Sequence, residues 1–292
     1  MGFGSMSGME ARIDRQRERH ETTSPVMETA YRKAMDVFKD PAYAIREQDF
    51  THTMDGGPHI VRQDLEYVRR IKSSFHDSRE EANMKKTADI FEAAYITQTR
   101  ENGWLGDAHV LKTSELDDIK HGVDMVAEFR RPRGGSNLLA LGVDLTSSKE
   151  AISKKLKAIR DSLQQGKLSE IRYLKDRQGD ALPARKDVPR TIVGVSEGAV
   201  KQIAGLWVNG KHKALAEHGV QKIAIEQMYT QLELQLKYAR NWMRHEAAAS
   251  IEEALDTLRP LRVAKRHIAD AELRSDPTVE EIAYQAKLIF RL

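Results

Sequence analysis

Asp124 and Asp144 each close a Gly-Val-Asp tripeptide, Gly122-Val123-Asp124 and Gly142-Val143-Asp144, set twenty positions apart. The tripeptides lie in two apolar runs, 122–130 (GVDMVAEFR) and 138–146 (LLALGVDLT), joined by Arg-Pro-Arg-Gly-Gly-Ser-Asn. A Pro and a Gly pair between two such runs are the turn chemistry of a β-hairpin. With the hairpin symmetric about Gly134, Arg130 faces Leu138 and Asp124 faces Asp144. Opposed residues of an antiparallel pair have Cα atoms only about 4.5–5.5 Å apart. Like charges so placed destabilise a sheet, and burying them unpaired costs more. A divalent cation is the simplest group to offset that cost.

The elements around this pair give it a frame. Ser78 to Asn102 reads as a long helix stopped by Gly103, and 108–111 as a short strand. The two hairpin strands follow. Ser147 to Gln165 is helical, with Ser147 and Glu150 forming a capping box, and 171–174 reads as a further strand. This order, helix, three strands, helix, strand, with an acid on the first helix and acids on strands two and three, resembles the PD-(D/E)XK nuclease superfamily. The resemblance covers about a third of the chain and implies Mg²⁺ (or Mn²⁺) held between strand carboxylates for phosphodiester hydrolysis. On this sequence it makes Asp124 the second-strand Asp, Asp144 the first acid of the third-strand motif, and Glu92, in Phe91-Glu92-Ala93-Ala94-Tyr95, the helix acid.

One position departs from the family pattern. The third-strand motif reads acid-any-Lys, and here it is Asp144-Leu145-Thr146. The missing Lys would orient the attacking water and stabilise charge on the phosphate. The next helix has an apolar stripe at Ile152, Leu156, Ile159 and Leu163, and three residues back from Ile152 is Lys149. Lys149 is the expected displaced lysine. Hard Mg²⁺ prefers carboxylate oxygens and retains waters, so Asp124 and Asp144 are the expected direct ligands. The Leu145 carbonyl is a further one, and Glu92 acts through a water or a second ion. Asp117 and Asp118 are expected to serve a turn before the second strand. His121 is expected to be structural or solvent-exposed, because the ten histidines show no paired metal-ligand spacing.

The rest of the chain sets limits. Forty-seven basic against 44 acidic residues leave a net charge of +3, so any nucleic-acid contact must come from local patches. The absence of cysteine excludes disulfides, thiolate metal sites and cysteine nucleophiles. No apolar run reaches the length of a membrane span, and the expectation is a cytoplasmic protein. No phosphate-binding Gly-rich loop or nucleophile elbow is present. Residues 1–24 are expected to be a disordered tail, 25–75 a helical segment, 76–217 the nuclease-like α/β core and 218–292 a helical extension. The expected fold is α/β: a small mixed sheet with a restriction-endonuclease-like α-β-β-β-α-β core and extra helices at both ends. Val220 to Leu258 carries a long apolar stripe that either packs on the core or forms a homo-oligomer seam, and Pro260 should end it. The tryptophans are scattered, without an aromatic-basic stripe for base stacking. The functional expectation is a metal-dependent nuclease acting on DNA or RNA. The alternative is a catalytically inactive protein of that fold, serving as a nucleic-acid-binding or interaction module.

Overall fold

The computed structural model describes residues 24–52, 57–74, 78–130, 136–143 and 149–291. For residues 79–80, 136–143 and 149–150 the description covers the backbone. The helices begin where the sequence supplies caps. Ser24 accepts a hydrogen bond from the Met27 amide and starts α1 (Pro25–Lys39), with Pro at its first position. After α2 (Gly57–Ser73), Ser78 and Glu81 form a capping box that opens α3 (Arg79–Asn102). Gly103, at φ 61°, ends it in the left-handed conformation.

Strand β1 (His109–Lys112) is followed by a helix that the turn reading of Asp117-Asp118 did not anticipate. This α4 (Glu115–His121) is capped by Ser114 and closed by Gly122 at φ 64°. The first Gly-Val-Asp unit is therefore a helix stop leading into a strand, and β2 (Met125–Arg130) starts one residue after Asp124. β3 (Ser136–Val143) pairs with it, but Arg130 lies opposite Ser136, not Leu138. The gap between the strands is five residues where the sequence reading used seven. The shift is by two, an even step, so the side chains of β2 keep their expected faces. Extended by one residue, this register sets Asp124 level with Gly142. Asp144, Leu145 and Thr146, like the Ser147 cap and the basic tip 131–133, lie outside the described residues.

From β3 the chain crosses through α5 (Lys149–Gln164) to a parallel strand, but that strand is not the expected 171–174. Ser169–Ile171 (β4) and Leu174–Lys175 (β5) pair instead with Arg185–Val188 (β7) and Ala181–Leu182 (β6) in two small ribbons. The parallel partner of β3 is β8 (Arg190–Val193), which overlaps the apolar stretch Thr191-Ile192-Val193-Gly194-Val195. Among the described residues the main sheet thus has the order β1-β2-β3-β8, antiparallel at its first two pairings and parallel at the third. Apolar residues fill both faces. Val110, Met125, Ala127 and Phe129 join the larger core, while Leu111, Val123 and Val126 join a second one with Ile45, Phe50 and Tyr173.

Helices α6 (Glu197–Val208), α7 (His212–Ala216), α8 (Val220–Asn241), α9 (His245–Ala264), α10 (Ala271–Arg274) and α11 (Pro277–Ile289) complete the chain. Val220–Leu258 is thus two helices, not one, and Pro260 sits inside α9 without ending it. That proline is exposed and close to the helix end, so the lost amide bond is a local cost. The apolar stripe of α8 is spent internally: Ile225, Met228, Leu232 and Ala239 are buried in the larger core with residues from Met27 to Phe290.

α8 also completes the sheet by an unusual device. Gln231 accepts from the Ile192 amide at 2.9 Å and donates to its carbonyl at 2.7 Å. Gln227 does the same with Gly194 at 3.2 and 2.8 Å, and Gln235 donates to the Arg190 carbonyl at 2.8 Å. Four helical residues rise about 6.0 Å, and two strand residues about 6.6 Å. Glutamines at i, i+4 and i+8 therefore match alternate residues of β8, where a fifth strand would pair. On the other side of the sheet, Lys112 bonds through its amide to the Tyr43 carbonyl and through its carbonyl to the Ile45 amide, both at 2.9 Å.

Candidate functional site

Four carboxylates gather where α3, α4 and the start of β2 meet the end of β1. Glu92 is on a buried turn of α3, 5% exposed, and its Oε2 lies 2.5 Å from Nζ of Lys112. Lys112 alternates with Val110 along β1 and so points to the face on which α3 packs. Its ammonium also lies 4.6 Å from the Phe38 ring centroid. Asp89 is one turn before Glu92 on α3 and equally buried. Asp118 comes from α4 and hydrogen-bonds to Asp124. Gly122 brings these two together by ending α4 in the left-handed conformation.

Titration behaviour follows from the placement. Burial raises the Glu92 carboxyl above its ordinary value, with Lys112 opposing and Asp124 adding to the rise. Burial also raises Asp118, and next in weight is the adjacent negative charge of Asp124. Asp89 is raised by burial as well. For Lys112, burial works against the charge, yet Glu92, Asp118 and Asp124 together raise its pKa. Arg190 is lowered by burial, opposed by Asp124, and donates to the carbonyls of His121 and Gly122. Asp89, Glu92, Asp118 and Asp124 thus outnumber the cations coupled to them, Lys85, Lys112 and Arg190. Two carboxylates in contact hold a proton between them unless a cation replaces it.

Of the residues expected from the sequence, Glu92 and Asp124 come together here. Asp144 and the Leu145 carbonyl lie outside the described residues, as does the Lys149 side chain, although Lys149 does open α5. Asp117 is fully buried and structural. Its carboxylate accepts from the amides of Arg172 and Tyr173 at 2.8 and 3.1 Å and from the Ser114 hydroxyl at 2.9 Å. Sequence reasoning missed Lys112, Asp118, Asp89 and Arg190. A usable signal existed for Asp89, three residues from Glu92 and hence on the same helix face. Lys112 was recoverable from its alternation with Val110.

The residues fit a divalent cation in type, since hard oxygen donors predominate. They do not complete a site by themselves: among the described residues no three His, Asp or Glu side chains converge closely enough to hold a metal ion. Asp118 and Asp124 supply two carboxylates, and a third must come from elsewhere. No described helix is long and apolar enough to cross a membrane. Compared with known proteins, the chain matches no family model, no curated protein and no solved structure.

Proposed function

We propose that this chain is a metal-dependent phosphodiester hydrolase acting on DNA or RNA in the cytoplasm, with a restriction-endonuclease-like core. The observation that carries this reading is the meeting of Glu92, Asp118 and Asp124 around Lys112 at one end of β1 and β2. The order helix, three strands, helix, strand supports it, with β8 as the last strand. Asp124 and Asp144 would hold Mg²⁺ or Mn²⁺ directly, with the Leu145 carbonyl, and Glu92 would support them. When bound, the ion supplies an activated water and neutralises phosphate charge. Asp118 hydrogen-bonds Asp124 and fixes its carboxylate. Lys112 opposes the burial-driven rise of Glu92 and places an ammonium beside that carboxylate, making it a rival to Lys149 for the motif lysine's role.

Cleavage of labelled DNA and RNA with Mg²⁺ or Mn²⁺ tests the reading. Wild type should cut at least one substrate, and Asp124→Asn and Asp144→Ala should lose about 10²-fold or more. Loss in Lys149→Ala would return the motif role to that residue; full activity there leaves Lys112. A second reading is favoured by the Lys112–Glu92 pair, which already neutralises the helix acid, and by Thr146 in place of Lys. On that reading the fold is an inactive nucleic-acid-binding or interaction module. No cleavage by wild type with either metal, together with retained nucleic-acid binding, would select it.

A further inference from the structure

Away from the carboxylates, the ends of three helices frame an open cavity of about 330 Å³ lined by Arg160, Gln164, Tyr238, Trp242, Ile289 and Arg291, with Asn241. None of these residues belongs to the carboxylate site. Trp242 lies seven residues beyond Gln235, about 10 Å further along the helix direction.

The lining has a particular chemistry. Trp242 is 41% exposed, whereas Trp104 and Trp207 are 0% and 3% exposed. Its ring sits 6.1 Å from that of Tyr238, one helical turn back and tilted by 36°; Tyr238 is buried, so Trp242 alone offers an open ring face. An exposed Trp leaves unspent a large apolar face that most folds bury. The backbone at this corner is costly too: Met243, 73% exposed, holds φ at 52°, a conformation that favours glycine. This residue is the left-handed stop of α8: the Arg244 amide donates to the Ala239 carbonyl at 2.8 Å and the Met243 amide to the Arg240 carbonyl at 3.0 Å. The Arg244 guanidinium donates through Nε and Nη2 to the Gln164 carbonyl at 2.9 and 2.6 Å, tying this corner to α5.

Charge narrows the choice of occupant. Arg160 is tied to its neighbour Asp161 through Nε and Nη2, at 3.0 and 2.6 Å. Arg291 is exposed, with no ion pair among the described residues. Two guanidiniums, Arg160 and Arg291, line the cavity and no carboxylate does, so the occupant should be anionic. The side-chain amides of Gln164 and Asn241 have no hydrogen-bond partner among the described residues, and both can donate and accept. An open indole face, unmatched amides and guanidiniums fit a planar ring with a hydrogen-bonding edge attached to a phosphate. A volume of this size lies at the small end of ligand pockets.

We propose that this cavity binds one nucleotide of a single-stranded nucleic acid, its base stacked on Trp242, its edge read by Gln164 and Asn241, and its phosphates held by Arg160 and Arg291. The proposal is independent of the metal reading. Stacking of a base on an aromatic side chain contributes about 1–3 kcal/mol, which is roughly 5- to 150-fold in affinity.

The test uses the full chain in EDTA, so that binding is read without cleavage. Oligo(dT)₁₀ should quench tryptophan fluorescence, because Trp242 is the exposed one of the three. Anisotropy of a labelled oligo(dT)₁₀ should show affinity falling by that factor in Trp242→Ala. Arg291→Glu, at an exposed position near the chain end, should weaken binding and flatten its salt dependence. Free dTMP should bind much more weakly than the oligonucleotide. Absence of quenching, or anisotropy unchanged in both variants, would overturn the site. Equal affinity for dTMP would overturn the assignment to a strand. Absence of cleavage in the assay above, with this binding intact, would count against the hydrolase alone.

Discussion

Removing Lys112 should expose how much the carboxylate site costs the fold. In Lys112→Met the apolar stem is kept and the ammonium partner of Glu92, 2.5 Å away, is lost. Truncating one member of a buried ion pair costs about 3–5 kcal/mol, because the other charge stays buried and unpaired. That is a large share of the roughly 5–15 kcal/mol of a typical domain. The cost depends on pH with a defined sign. Burial raises the Glu92 pKa in the folded state, so its protonated form is favoured by folding. Stability from this group is complete below its unfolded pKa and is lost as pH rises through the folded value. Without Lys112, which opposes that rise, the folded pKa climbs further and the loss extends to higher pH, at about 1.4 kcal/mol per unit at most. Lys112 is itself raised in the folded protein, so in wild type its contribution is lost only under strongly alkaline conditions. Urea unfolding at pH 5 and pH 8 should therefore show a loss of about 3–5 kcal/mol at pH 8 and about 1–2 kcal/mol at pH 5, where Glu92 can take up a proton. Adding Glu92→Gln should recover about half or more of the pH 8 loss. Equal losses at the two pH values, or strictly additive single variants, would refute the account.

Gln231→Leu leaves the amide and carbonyl of Ile192 buried without partners and should cost about 2–5 kcal/mol in chemical denaturation. Gln235→Leu, which loses one bond, should cost less. Met243→Gly relieves a left-handed position of a bulky residue at about 1–2 kcal/mol while adding about 0.5–1 kcal/mol of unfolded-chain entropy. It should raise the melting temperature slightly, and a lower one would show that the corner is not strained. Gly122→Ala should destabilise by about 1 kcal/mol or more: φ is 64° there, and a methyl would stand 3.0 Å from Nη1 of Arg190. Thermal unfolding would reveal a neutral change as an error in that helix stop.

Local signals in the sequence were readable wherever they were strong and self-contained. Ser78 and Gly103 bound α3 as expected, and two apolar runs located β2 and β3. Register was less legible, because the spacing of Arg130 and Ser136 depends on the turn between them and not on the strands. The identity of the last sheet strand was illegible for another reason. Ile171-Arg172-Tyr173-Leu174 and Thr191-Ile192-Val193 are both apolar enough, and only packing against α5 and α8 selects the second. For the site, Glu92 and Asp124 stood out as acids among apolar residues. Lys112 and Asp118 did not, since each looks like an ordinary charge at the end of an element. Trp242, Arg160 and Arg291 are separated by up to 131 positions, so no linear stripe announced their cavity.

The glutamine ladder of α8 also sets a condition on how the chain can be made. Backbone groups along an outer strand attract other strands, and both outer strands here are occupied from within, β1 by Tyr43 to Ile45 and β8 by Gln227, Gln231 and Gln235. The two closures do not arrive together. Residues 43–45 are synthesised before the sheet, whereas the glutamines follow β8 by more than thirty residues. At about 5–20 residues per second, β8 stays open for seconds on the ribosome. A chain truncated after Val208 would keep it open permanently and should self-associate, while one ending after Asn241 should not do so through this strand.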